Sequence, residues 1–361
     1  MTHWRAKALR GHGPLQIAAT FATGAIGGGI GLSLGLPLGM LLGSMFAVAL
    51  LATLKVRIGG RLPGVPQHWR NFFVPVIGVA IGAAVPPDVL QQAMHWWPTV
   101  LAVFAFVPIA HLLSYQIYRR AGRLDPNTAF FAAMPGGYIE AMELGEQRGA
   151  DMQMLLMLQF MRLILCIVLV PLSFSLVSGQ AVGSASGVMR PGTDVALTLW
   201  DDLVLIAAGV IGAVIAKRLR IPAGILSGPL FLSGLAHATG LTAAAPPDWM
   251  ITMTQWVVAT SLGSRFAGLS LGRLWLAMRL SLVAIAGAML LAVLFALLLS
   301  GPVQEPAAAI ILAFAPGGVS EMALVAISLQ LSAIFVTLHH LIRIVLAVIF
   351  ARAASRYLPE A

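Results

Sequence analysis

Long apolar runs separated by short polar or basic stretches set the pattern of this chain. A bilayer core about 30 Å thick is crossed by about 20 apolar residues of helix. The runs therefore predict membrane-spanning helices at 15–32, 36–54, 97–117 and 152–176, with a shorter one at 72–85 that stops at Pro86-Pro87. Residues 126–143 form a further segment, interrupted by Pro135-Gly136-Gly137. After a small, polar stretch at 177–200, the second half predicts segments at 203–216, 221–236, 251–269 and 274–299. An interrupted segment at 307–326 and a last one at 329–351 follow.

The second half repeats the first. A shift of 181 places Pro135, Gly136, Gly137, Glu140 and Arg162 on Pro316, Gly317, Gly318, Glu321 and Arg343, and Gly82 on Gly263. Farther upstream a shift of 185 places Pro37, Gly39 and Gly43 on Pro222, Gly224 and Gly228. An ordered set of matches over most of both halves marks an internal duplication. Its expected parts are a tail at 1–14, repeats at 15–176 and 201–351 joined by 177–200, and a second tail at 352–361.

Composition changes the picture in one direction. Of 361 residues, 59% are hydrophobic and 10% charged, too few charges to cover a water-soluble domain of this size. Gly 37 and Pro 21 suit close helix packing and broken helices. A single cysteine, Cys166, excludes an intramolecular disulfide and a multi-cysteine metal site. The net charge of +9 sits in short clusters between apolar runs, as topology and anionic lipid require, and forms no track for nucleic acid.

Those clusters also choose an orientation. With the amino terminus inside and both interrupted segments re-entering, the basic residues at 55–70, 119–123, 217–220, 265–273 and 352–356 all lie inside. Full crossings by both interrupted segments would force Lys217–Arg220 outside, against the positive-inside rule. The expected fold is an all-α polytopic membrane protein of two inverted repeats. Each holds about five transmembrane helices plus a broken or re-entrant Pro-Gly-Gly segment. Both termini are then cytoplasmic.

Candidate chemistry gathers at the interruptions. Charges inside a membrane cost about 2.5–3.5 kcal/mol on insertion scales and usually face a pathway or a partner. Glu140 and Glu321 follow their last glycine by three residues, about one helical turn, and can take up a proton or coordinate Na⁺. A bland alternative is that Glu140 with Arg162, and Glu321 with Arg343, are neutralising pairs. Gln159 falls on His340 across the repeat, a polar-pathway pair, whereas adjacent His339 and His340 point apart on a helix and make a poor metal site. No Ser-His-Asp spacing or phosphate loop occurs, and no cofactor is expected.

At Met134–Glu140 and Ala315–Met322 the chain resembles the duplicated bacterial AbrB-type membrane protein family, labelled AbrB family transporters or ammonia monooxygenases. The resemblance also rests on Gly149-Ala150-Asp151, Arg162 and Arg343, and departs where Leu331-Ser332 stands in the second half. It implies a bacterial inner-membrane protein related in fold to cation/proton antiporters and anion symporters. A soluble DNA-binding regulator shares the family's name, but the chain carries no DNA-binding element, and redox chemistry would need metal ligands at workable spacing. The expected function is ion-coupled transport of a small solute or ion, with H⁺ or Na⁺ as the coupling ion. Alternatives are a membrane scaffold or regulatory component without transport and, third, a metal-dependent membrane oxidoreductase; membrane lipid and a second copy of the chain, as a homodimer, are the other expected partners.

Overall fold

The computed structural model describes residues 12–86, 88–179, 192–193, 195–221 and 223–359. The amino-terminal tail up to residue 11, most of the 177–200 stretch, Pro87, Pro222 and the last two residues lie outside the described residues. Apart from one isolated bridge, Ile58 with Arg61, regular structure among the described residues is helical.

The first half runs α1 (Pro14–Ser33), α2 (Gly39–Thr53), α3 (Gln67–Ala83), short α4 (Val89–Ala93), α5 (Trp97–Arg120), α6 (Pro126–Ala132), α7 (Tyr138–Gln147) and α8 (Met152–Ser178). The second runs α9 (Leu199–Arg218), α10 (Gly224–Ala238), α11 (Asp248–Ser264), α12 (Leu271–Leu299), α13 (Ala307–Phe314), α14 (Val319–Ser328) and α15 (Ala333–Ala354), closed by a 3₁₀ turn at Ser355–Tyr357. Six of these, α1, α5, α8, α9, α12 and α15, are long and apolar enough to cross a membrane. The protein is a polytopic all-α membrane protein. Helix α3 starts at Gln67, ahead of the apolar run, because its first turn, QHWRN, is polar but still helical.

The duplication is visible in the backbone. Helices α1 and α9 have equal length and start 185 residues apart, as do α2 and α10, while α3 with α11 and α7 with α14 are equal pairs 181 apart. Left-handed residues recur at the same offsets: Leu38 with Ala223, Gly35 with Arg220, Lys55 with Gly240, and Gly149 with Gln330. Non-glycine residues in this conformation are strained. The repeated chain path therefore outweighs local residue preference.

Helices sort into two compact units, each drawing on both halves: residues 1–85 with 171–270, and residues 86–170 with 271–361. In the first unit, α1 pairs with α2 and α9 with α10, and each third helix leaves its own pair. Helix α3 packs on α10, and α11 packs on α2. The contact is reciprocal in detail. A Cβ on Gly82 would come within 2.6 Å of the Leu230 carbonyl oxygen, and one on Gly263 within 2.6 Å of that of Met45, the position equivalent to Leu230. Glycine permits these approaches because nothing stands between the backbones.

The second unit holds α4–α7, most of α8, and α12–α15. Trp96 Nε1 donates to Glu305 Oε1 at 3.2 Å in the loops that open α5 and α13. Burial raises the Glu305 pKa above the usual carboxylate value of 4.5, with the Trp96 bond opposing. The folded form thus holds its proton more tightly than the unfolded one. Its contribution to stability is full below pH 4.5 and is lost as pH rises through the raised folded value. Glu305→Gln is expected to flatten this part of a melting-temperature profile between pH 4 and 7, and a slope equal to wild type would refute the assignment.

Candidate functional site

Each Pro-Gly-Gly stands between two helices of the second unit: residues 133–137 separate α6 from α7, and 315–318 separate α13 from α14. Proline has no N–H to continue the ladder, so α6 and α13 stop before it. The restart differs between halves. Gly137 caps α7 in the left-handed region, φ 68°, whereas Gly318 caps α14 with φ −77°.

Glu140 and Glu321 are each the third residue of the restarted helix, where the helix dipole favours an anion. Glu321 folds back over its cap. A Cβ on Gly318 would lie 2.1 Å from Glu321 Oε2, so only glycine leaves room for this carboxylate pose. Glu321 is 7% exposed and its carboxylate forms no hydrogen bond or ion pair among the described residues. Glu140 sits looser, half-buried against Gly137, with Val348 on the other side of that glycine.

The arginines do not pair with these glutamates. The Arg162 guanidinium donates to the Met134 carbonyl, and that of Arg343 donates to Ala315, to Gly317 at 3.0 Å and to Phe314 at 3.4 Å. Carbonyls at the ends of α6 and α13 have no helical partner and carry the negative end of the helix dipole, so they attract a cation from the neighbouring helix. The neutralising-pair expectation is thereby corrected.

Gln159 shares this work in the first half. Its Nε2 donates to Phe131 at 3.0 Å, Ala132 at 3.1 Å and Met134 at 3.5 Å. The equivalent His340 bonds Val336 of its own helix at 2.9 Å, and its Nε2 lies near Ala315 without a hydrogen bond of normal geometry. His339 bridges Phe335 and Thr99, at 2.8 and 2.9 Å, as a packed core histidine. Among the described residues no cluster of three or more His, Cys, Asp or Glu could hold a metal.

Both interruptions meet around one small space. Pro135, Pro316 and Arg162 line it with Phe106, Ala110 and Ala288, and its volume of about 10 Å³ is roughly one water's worth. Arg162 and Arg343 are close enough for their charges to repel, with buried Cys166 beside both. Pro135 and Arg162 thus share this space with Pro316, while Glu140 opens instead on a larger cleft of about 350 Å³.

His111 and the capping role of Asp151 escaped sequence reasoning. His111, buried between the rings of Phe130 and Phe350 at 4.4 and 5.2 Å, carries no signal beyond being polar in an apolar run. Asp151 caps α8 through Gln153 and Met154, both at 3.1 Å, and meets Arg273 at 3.0 Å. Its counterpart Ser332 caps α15 through Phe335 at 3.3 Å. The departure at Leu331-Ser332 therefore swaps one good N-cap for another and drops only the ion pair.

The chain is 26% identical over 304 residues to a protein of Bacillus subtilis (strain 168), "Uncharacterized protein YhjN", covering 79% of this chain and 77% of that one. It is 21% identical over 193 residues to "Putative regulator AbrB" of Escherichia coli (strain K12), covering 53% of this chain and 54% of that one. A match running from residue 40 to residue 359, across both interruptions and both arginines, places the chain in the AbrB family, described as "Transition state regulatory protein AbrB".

Proposed function

We propose that this protein is an ion-coupled secondary transporter of a small solute or ion in the bacterial inner membrane, with both termini cytoplasmic. In this reading the halves are inverted repeats and each Pro-Gly-Gly segment is a re-entrant or half-crossing element. One observation carries it: Glu321 is buried, unpaired among the described residues, and held at a helix restart beside a glycine that makes room for it. A carboxylate kept without a partner in a membrane segment is costly, and binding H⁺ or Na⁺ would relieve that cost. The second compact unit, with both interruptions, is the transporting one. A regulatory role, which the name of the Escherichia coli relative favours, requires no ion movement.

Electrical recording from reconstituted protein on a solid-supported membrane tests this without knowledge of the solute. A jump in pH or in Na⁺ concentration is expected to give transient currents. These should fall about tenfold in Glu321→Gln, which removes the carboxylate that would bind the ion. Gly318→Ala, which displaces the same carboxylate without removing it, gives an intermediate loss. Wild-type protein silent to both ions, or Glu321→Gln currents equal to wild type, would overturn the reading.

A further inference from the structure

The cleft beside the first interruption is walled by charges of both signs that do not neutralise one another. Glu140 and Glu143 come from α7, Arg148 from the turn after it, and Arg352 and Arg356 from the end of α15 and the 3₁₀ turn. None of these five side chains forms an ion pair or a side-chain hydrogen bond among the described residues. The cleft's volume of about 350 Å³ suits a small molecule, ligand pockets starting at about 300 Å³.

Arg352 and Arg356 are one turn apart and present two forks to the same space. Guanidiniums stay charged at any physiological pH, so the basic wall is permanent. A simple anion would meet two carboxylates, and a simple cation three guanidiniums. A molecule with a charge of each sign at its two ends would satisfy both walls at once.

We propose that this cleft binds a small zwitterion of the α-amino acid class, its carboxylate on Arg352 and Arg356 and its ammonium toward Glu140 and Glu143. Arginine forks match a carboxylate with two parallel hydrogen bonds. This assignment rests on the transport reading and names its solute: Glu140 belongs both to the cleft and to the first restarted helix, so the bound molecule sits against the interruption.

Titration calorimetry on the full chain in nanodiscs, with the uncharged α-amino acids tested singly, decides it. At least one is expected to bind saturably, at least tenfold more weakly to Arg352→Ala and Glu143→Gln, and with an affinity between wild type and Arg352→Ala for Arg352→Lys, which keeps the charge but not the fork. Acetate and methylammonium, each with one of the two charges, are expected not to compete at equal concentration. Absence of saturable binding for all the amino acids, equal competition by acetate, or unchanged affinity in the variants overturns the assignment. Should Arg352→Ala fail to give monodisperse protein, Arg356→Ala and Glu143→Gln decide alone. Ion-jump currents lost in Glu321→Gln with no amino acid bound would defeat this assignment only. Currents that survive Glu321→Gln defeat the transport reading whatever the cleft binds.

Discussion

Arg343→Met is expected to destabilise the folded protein by about 3–5 kcal/mol, because it leaves three buried backbone carbonyls without their donor. Arg343 is 2% exposed and holds the carbonyls of Phe314, Ala315 and Gly317. With methionine there, these acceptors face apolar packing, each at about 1–3 kcal/mol. Neutral His340 cannot take over, since its one N–H, at Nδ1, is donated to the Val336 carbonyl and Nε2 is left without a proton to give. The symmetric change, Arg162→Met, is expected to cost less, about 1–3 kcal/mol, because Gln159 still donates to Phe131, Ala132 and Met134. Melting temperatures of the two variants in one detergent compare them directly. Equal losses would show that the division of labour between Gln159 and Arg162 is not real.

Gly228→Ala should be nearly as severe. A Cβ there would lie 2.0 Å from the Gly212 carbonyl oxygen and 2.7 Å from the Ala216 Cβ, so α9 and α10 must separate. Overpacking of this kind costs about 3 kcal/mol, and in lipid no hydrophobic force recloses the pair. Gly43→Ala, whose Cβ would lie 2.0 Å from the Gly27 carbonyl oxygen, should behave alike in the other half. Gly29, with open space where its Cβ would be, is the control: Gly29→Ala should raise stability by about 0.5–1 kcal/mol through helix propensity alone. Thermal unfolding of the three variants tests this, and an equal response from Gly29 and Gly228 would refute the close-packing account.

Much of this was legible in the sequence because membrane helices announce themselves by length and apolarity. The matched glycines 43 with 228 and 82 with 263 turned out to mark helix contacts in both halves. The partners of Arg162 and Arg343 were not legible. A side-chain reading looks for an opposite charge, and Glu140 and Glu321 were at hand, but the acceptors are backbone carbonyls that every residue carries. The cleft was illegible for a related reason. Arg352 and Arg356 read as a topogenic cluster, and only the fold brings them beside Glu140 and Glu143. Nor does a repeat offset reveal that α3 packs on α10 rather than on its own half.

That exchange of third helices between halves bears on how the protein is made. Helix α3 leaves the ribosome more than 130 residues before α10, the helix on which it packs. At about 5–20 residues per second of synthesis, it waits in the bilayer for roughly 7 to 30 s with its glycine face uncovered. Neither half can complete a compact unit from its own helices. Assembly of both units is therefore a late event in biogenesis, and a chain halted at its midpoint is left holding helices whose partners have not yet been translated.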